Sequence, residues 1–252
     1  MSYFAVEGLS LQFGGIRAIS ELEFSVEQGD VFALIGPNGA GKTSVFNVIT
    51  RVFDPDAGRI TFKGDDLTAV PRHRIADHGI ARTFQNIELF ESESVLQNLL
   101  LGRHRFAHDN VFAQMVRTPS VRRFEEQSRE RAEEIIEFLD LAPYRNTLVQ
   151  GLPYGIRKNV ELARALASEP ELMLLDEPAS GLNPEETREL ARWIRAMVDE
   201  RGITVLMVEH DMTLVSETAT RVMCMNMGRR LAIGTASEIQ QNPDVIAAYI
   251  GA

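Results

Sequence analysis

The chain has 252 residues, of which 44% are hydrophobic and 25% charged, a balance that supports a buried core and excludes disorder as the general state. Its 26 Lys and Arg stand against 36 Asp and Glu, a formal net charge of −10. So acidic a surface argues against a protein whose main work is coating DNA or RNA, because phosphate neutralisation needs a basic face, and no nucleic-acid partner is expected.

The start, Met1-Ser2-Tyr3-Phe4-Ala5-Val6-Glu7, carries neither a basic residue nor a long apolar stretch, so no secretory signal is expected. Apolar and polar positions then alternate (Leu9, Leu11, Phe13; Leu22, Phe24, Val26). That is the pattern of antiparallel strands, joined by turns at Gly14-Gly15 and Gln28-Gly29-Asp30. A buried strand is predicted over 31–35, followed by a glycine-rich turn and a helix over 44–52. Arg59-Ile60-Thr61-Phe62, with a turn at Lys63-Gly64-Asp65, adds a hairpin strand. From about Phe90 to Leu166 the pattern is helical. Phe124, Ala132, Ile135, Ile136 and Leu139 fall at helical spacing, while Arg122, Arg123, Glu125, Glu126, Arg129, Glu130, Glu133 and Glu134 fill the other face as a solvated surface. Strand-like apolar runs return over 171–175, 203–208 and 221–225, alternating with helical segments such as 185–199. This alternation means a parallel α/β sheet, with the helical stretch inserted between its two halves. The longest apolar runs, such as 31–35 and 172–175, are far below the roughly 20 residues a bilayer span requires. Cys224 is the only cysteine, which excludes an intrachain disulfide and a multi-cysteine zinc site. Its neighbours Val222, Met223 and Met225 mark it as a buried, inert thiol, and a cytosolic address follows. Asn242-Pro243-Asp244 supplies an N-cap, a proline at the first helical position and an acid in the first turn, so a last short helix runs toward Tyr249.

The chemistry is concentrated in three places. Gly36-Pro37-Asn38-Gly39-Ala40-Gly41-Lys42-Thr43 matches G-x-x-x-x-G-K-[ST], with a strand before it and a helix pattern, opening at Ser44, after it. Glycines there let successive backbone N–H groups turn inward around phosphates, and the helix presents its positive end to them. Lys42 then reaches the β and γ phosphates and the Thr43 hydroxyl ligates Mg²⁺. Downstream, Glu171-Leu172-Met173-Leu174-Leu175-Asp176-Glu177 is a buried strand ending in two carboxylates. At the C-terminal edge of the sheet Asp176 can hold Mg²⁺ through water, and Glu177 can orient or deprotonate the attacking water. Alone, such a run would read as surface carboxylates; after a phosphate loop it reads as a site. Val208-Glu209-His210 ends another apolar run in the same manner, and this placement makes His210 a site residue rather than a structural histidine.

Together these elements resemble the ATP-binding-cassette (ABC) ATPases over essentially the whole chain. The resemblance implies a P-loop (RecA-like) α/β core with a mixed sheet, an N-terminal antiparallel β subdomain and an inserted α-helical subdomain. It implies one nucleotide-binding domain over 1–252, with the core in 1–89 and 167–252 and the helical subdomain, carrying the signature motif, in 90–166. It also assigns further residues. Gln85 in Arg82-Thr83-Phe84-Gln85 matches the Q-loop glutamine, which links the γ-phosphate and Mg²⁺ to the helical subdomain. Gly151-Leu152-Pro153-Tyr154-Gly155 stands at the signature position, Ser180-Gly181-Leu182-Asn183 at the D-loop, His210 at the switch histidine, and Phe13 where an aromatic ring stacks on adenine. Ala81-Arg82-Thr83-Phe84-Gln85, Thr118-Pro119-Ser120, Ala179-Ser180-Gly181-Leu182-Asn183-Pro184 and the ending through Tyr249-Ile250-Gly251 look like the ATPase subunits of branched-chain amino acid importers, whose relatives import urea, other amides or aromatic acids.

That resemblance implies ATP and Mg²⁺ as ligands, and as partners a second, non-identical cassette (or a second copy), two transmembrane permease subunits and, indirectly, an extracytoplasmic solute-binding protein. The location implied is peripheral, on the cytoplasmic face of the inner membrane. Two cassettes close head to tail over two Mg·ATP, and Gln85 passes the change to a membrane subunit, for which Glu91-Ser92-Glu93-Ser94-Val95 is a candidate contact or simply a solvated loop. One departure matters. The common signature is L-S-G-G-Q, whereas this chain reads Leu152-Pro153-Tyr154-Gly155-Ile156. Pro153 has neither a hydroxyl nor a backbone N–H, leaving Gly155 and the helix start as phosphate donors and implying an asymmetric pair of sites. A non-transport ABC ATPase acting on DNA or ribosomes would need a long coiled-coil insertion or two fused cassettes, and a GTPase would need Asn-Lys-x-Asp; none occurs here. Intact Glu177 and His210 count against a non-hydrolytic regulatory subunit.

Overall fold

The computed structural model describes residues 2–85, 87–106 and 118–250; the expected helical continuation through 107–117 lies outside them, as does Gly251. The chain falls into two compact units, Met1–Gln85 with Glu171–Ala252, and Asn86–Pro170.

The strands in chain order are β1 (Phe4–Phe13), β2 (Ile16–Val26), β3 (Val31–Ile35), β4 (Ala57–Phe62), β5 (Asp65–Asp66), β6 (Ile80–Arg82), β7 (Leu172–Asp176), β8 (Thr204–Val208), β9 (Arg221–Asn226) and β10 (Arg229–Gly234). The helices are α1 (Lys42–Ile49), α2 (Val95–Gly102), α3 (Pro119–Phe138), α4 (Tyr154–Ala167), α5 (Pro184–Arg201), α6 (Met212–Thr218), α7 (Ala236–Gln241) and α8 (Pro243–Ile250). No helix among the described residues is long and apolar enough to cross a membrane.

The first unit holds two sheets. The antiparallel one runs β2-β1-β4-β5, and the six-stranded one runs β10-β9-β3-β8-β7-β6. In the second sheet β9, β3, β8, β7 and β6 are parallel, and β10 pairs with β9 antiparallel, so the sheet is mixed. Five consecutive buried residues in each of β3, β7 and β8 are what a strand covered on both faces requires. In β2, by contrast, Leu22, Phe24 and Val26 turn inward and Glu21 and Glu23 outward. Phe24 stacks on Phe32 of β3 at 5.3 Å between centroids, joining the two sheets in one core with Phe4, Leu34, Val45, Phe46, Ile60 and Leu206. Each such side chain contributes about 1.5–3 kcal/mol of burial.

Some expectations shift. The turn at 28–30 carries the chain from β2 into the other sheet rather than to another antiparallel neighbour. Helix α1 starts at Lys42, two residues before the expected 44, and stops at Ile49 because Arg51 takes a left-handed conformation (φ 58°) and cannot continue a helix toward Val52. Strands β6 and β10, both edge strands, were not among the expected elements. The three-residue β6 is too short to show a period, and β10 alternates weakly because no residue on it is fully buried.

In the unit Asn86–Pro170, α2 begins with a capping box between Ser94 and Gln97, and α3 begins with Thr118 capping and Pro119 at its first position. Ala132, Ile135 and Ile136 of α3, and Leu139 at its C-cap, are buried as the spacing predicts, with Phe124 half-buried and most of the charged residues exposed. Glu91 in the candidate contact stretch is paired with Arg157 at 2.6 Å.

Candidate functional site

Strands β3, β8 and β7 lie side by side and parallel, so the segments leaving their C-terminal ends meet at one edge of the sheet, where open α/β sheets hold their ligands. Residues 36–43 leave β3, Glu177 follows β7 and Glu209-His210 follow β8. The strand carrying Asp176 is thus one removed from the glycine loop, with β8 between them.

The loop is a tight construction. Gly36 (φ 148°) sits so close to β9 that a Cβ would stand 2.2 Å from the Met225 carbonyl oxygen, and a Cβ on Gly41 (φ 100°) would stand 2.3 Å from that of Ala18. Only glycine fits at these two positions. The turn between β9 and β10 closes from the other side, the Gly228 N–H donating to the Ala40 carbonyl at 3.0 Å. Asn38 and Gly39 are exposed at the lip, Pro37 and Ser44 half-buried, and Thr43 exposed. Gly41 occupies the N-cap of α1 with no side chain capping the helix. The first-turn amides therefore keep their capacity to bind an anion. Lys42 is buried, and its ammonium donates to the carbonyls of Gly36 (2.7 Å) and Pro37 (3.1 Å). Burial lowers its pKa below the ordinary value, against the opposing fields of Glu177, Cys224 and Asp176. A buried cation beside an uncapped helix start is the donor set a polyphosphate fits.

Asp176 at the end of β7 is buried and accepts a hydrogen bond from the Arg82 guanidinium of β6 at 2.7 Å; the side chains are 4% and 8% exposed. The same guanidinium donates to Asn47 Oδ1 (2.8 Å) and Thr50 Oγ1 (3.1 Å) of the α1 segment and lies over the rings of Phe46 and Phe84. Glu177 is in the left-handed region at φ 47°, unusual for a side chain of this length. Its N–H donates to the Val208 carbonyl (2.9 Å), and Gln85 Nε2 donates to its Oε2 at 2.8 Å. His210 Nδ1 stands 3.9 Å from that same Oε2, too far for a hydrogen bond. Behind it, Glu209 is fully buried. Its Oε1 accepts from the Ala179 amide (2.8 Å) and its Oε2 from those of His210 (2.7 Å) and Asp211 (2.9 Å). Burial pushes its carboxyl pKa up while these amides pull it back down. Among the described residues, no cluster of three or more His, Cys, Asp or Glu could hold a metal ion. A metal here fits only as Mg²⁺ is usually held, by one carboxylate and a hydroxyl together with phosphate oxygens.

Gln85, Asp176, Glu177 and His210 therefore gather at the strand ends beside the loop. Phe13 lies at the end of β1, packed edge-on to Phe53 at 4.9 Å with part of its surface exposed. Gly155 belongs to the other unit, buried in the first turn of α4, which starts at Tyr154 rather than after Gly155 and has Pro153 at its N-cap. Cys224 is buried, and desolvation pushes its thiol pKa up to about 11. Three neighbours of these residues went unrecognised from sequence: Arg82, Glu209 and Tyr249, an exposed residue of α8 whose phenol lies near the Gly36 backbone. A carboxylate interrupting an apolar run just before a histidine was the one available signal, for Glu209.

This fold and loop define a cassette ATPase, and the ABC transporter family matches residues 19–180. The chain belongs to that family, binds ATP and is an ATPase. A second match, described as "Branched-chain amino acid ATP-binding cassette transporter", spans residues 229–252. Among similar proteins is the high-affinity branched-chain amino acid transport ATP-binding protein BraF of Pseudomonas aeruginosa, 41% identical over 98% of this chain and 96% of its own length. The corresponding protein LivG of Escherichia coli K12 is 39% identical over 98% and 97%. Two solved ATP-binding cassettes of ABC transporters superpose over the whole of both chains at 30% identity, one in its ADP conformation (TM-score 0.88) and one nucleotide-free (TM-score 0.87).

Proposed function

We propose that this chain powers an importer of branched-chain or chemically related amino acids. The observation that carries this reading is the agreement between the C-terminal match over 229–252 and near full-length identity to relatives named for that transport. In the proposed assembly it works with a second cassette, two transmembrane permease subunits and an extracytoplasmic solute-binding protein, at the cytoplasmic face of the inner membrane.

Within the site, residues 36–44 cradle the triphosphate through backbone N–H groups and the Lys42 ammonium, and Phe13 faces the adenine. Thr43, Asp176 and Gln85 would hold Mg²⁺, which supplies charge neutralisation at the phosphates when bound. Glu177 accepts the proton of the attacking water, its carboxylate already oriented by Gln85. His210, largely exposed and 3.9 Å from Glu177, is placed to contact the outgoing phosphate. The helix start at Tyr154-Gly155 offers amides without any side-chain cap, which supports an asymmetric pair. This chain supplies a complete set of phosphate and water ligands to one site, and only backbone donors from its signature segment to the other. Lost charge-assisted donors of about 1.5–3 kcal/mol each make that second site roughly 10- to 100-fold slower.

The test measures ATP turnover of this chain alone and mixed with its partner cassette, together with Glu177→Gln. The expected result is low activity alone, high activity mixed, and Mg·ATP binding without turnover in the variant. Equal turnover alone and mixed refutes the asymmetry; undiminished turnover in the variant refutes the role of Glu177. Uptake assays with the permease subunits in vesicles decide the solute: uptake of urea or an aromatic acid in place of leucine overturns the amino-acid assignment.

A further inference from the structure

Glu209 stands at a junction of three segments. Its own N–H donates to the Leu34 carbonyl at 3.1 Å, attaching it to the strand that leads into the phosphate loop. One carboxylate oxygen receives the Ala179 amide, in the turn that follows Glu177; the other receives the amides of His210 and Asp211. That turn is itself closed by the Ser180 N–H on the Glu177 carbonyl at 3.1 Å. Asp211, next along, caps α6 through the Thr213 and Leu214 amides. A carboxylate taken wholly out of water among apolar strands is costly unless every acceptor is used. Here backbone amides of two loops, rather than a lysine or arginine, satisfy it.

We propose that Glu209 is a positioning residue for ATP hydrolysis: its carboxylate locks the turn that carries Glu177 to the strand end that carries His210, so that the two side chains meet the phosphate as one rigid piece. The proposal rests on the catalytic reading of Glu177 and His210. Glutamine at this position cannot reproduce the lock. With its oxygen on the His210 and Asp211 amides, its NH₂ group faces the Ala179 N–H, donor against donor. The turn is released while the phosphate loop, held by the Gly228 amide on the Ala40 carbonyl, is untouched. The expected loss is therefore in the chemical step and not in nucleotide binding.

The experiment compares the parent chain, Glu209→Gln and Glu209→Asp, each full-length and mixed with the partner cassette where turnover needs it. In Glu209→Gln the Ala179 amide exchanges hydrogen at least roughly 10-fold faster. The dissociation constant for Mg·ATP stays within about 3-fold, and kcat per nucleotide-binding site falls roughly 10- to 100-fold at unchanged KM. Glu209→Asp, which keeps the charge one methylene short, recovers part of kcat. Counting sites by bound nucleotide removes any contribution from unfolded protein. Unchanged exchange at Ala179, or a kcat per site within about 3-fold of the parent, overturns the proposal. Glu177→Gln run alongside separates the two readings: if it turns over ATP at the parent rate, the catalytic role of Glu177 fails, whatever Glu209 does to amide exchange.

Discussion

Replacing Arg82 with methionine removes the cation that hydrogen-bonds Asp176 while keeping most of the volume under Phe46 and Phe84. Three hydrogen bonds disappear, to Asp176 at 2.7 Å, Asn47 at 2.8 Å and Thr50 at 3.1 Å. The first matters most, because Asp176 is 4% exposed and its charge then loses the partner that hydrogen-bonds it in the core. Breaking one side of a buried pair costs about 3–5 kcal/mol, a large share of the roughly 5–15 kcal/mol by which a domain is folded. The double variant Arg82→Met with Asp176→Asn removes both charges and so costs less than the two singles added together, by about 1–3 kcal/mol. Urea unfolding of the four proteins without nucleotide measures this coupling from the shift in midpoint at constant slope. Additivity within about 0.5 kcal/mol, or a single Arg82→Met variant within 1 kcal/mol or so of the parent, refutes the argument that the pair is strongly coupled.

Other predictions follow from single contacts. Gly41→Ala forces a Cβ to 2.3 Å from the Ala18 carbonyl at φ 100°; it should cost about 1–3 kcal/mol of stability and abolish saturable Mg·ATP binding, read by calorimetry. Lys42→Ala should weaken Mg·ATP binding by roughly 10- to 100-fold through the loss of charge-assisted phosphate contacts; an unchanged dissociation constant would place the phosphates elsewhere. His210→Ala should lower kcat roughly 100-fold or more while Mg·ATP still binds. The Cys224 thiol, raised to about 11 from 9.0, favours the fold fully below pH 9.0, and this contribution fades as pH rises through about 11. A Cys224→Ala variant should therefore lose less stability than the parent between pH 9 and 11, by about 2–3 kcal/mol at full ionisation. Identical pH profiles would show a thiol that ionises freely.

The parts of the fold legible from sequence were those where one physical rule dominates. Continuous burial marked β3, β7 and β8; alternation marked β1 and β2; Asn242 and Pro243 marked the last helix, where Asn242 accepts from the Asp244 amide at 2.9 Å. The glycine loop and the Asp176-Glu177 pair at the end of β7 were legible because both are fixed residue types at short spacing, and the structure puts them at the same edge of the sheet. Arg82 was not, since its partners Asn47, Thr50 and Asp176 are distant in sequence and meet only through the strand order β8-β7-β6 beside α1. Tyr249 was invisible for a similar reason. Its spacing marks a helix end, and nothing local announces that the helix returns to Gly36. Strand β6 depends on pairing with β7 for its existence, so its own three residues hold too little pattern to declare it.

The backbone at Glu177 is held in a left-handed twist at φ 47°, a geometry that glycine adopts freely and a glutamate only at a cost of about 1–2 kcal/mol. Chemistry and backbone geometry thus pull in opposite directions at that one position. A glycine there would relieve that strain but would lose the hydrogen bond from Gln85 at 2.8 Å and add freedom to the unfolded chain, so the net effect on folding is small. On the proposed role of Glu177, the strained backbone there serves chemistry on nucleotide rather than the durability of the fold.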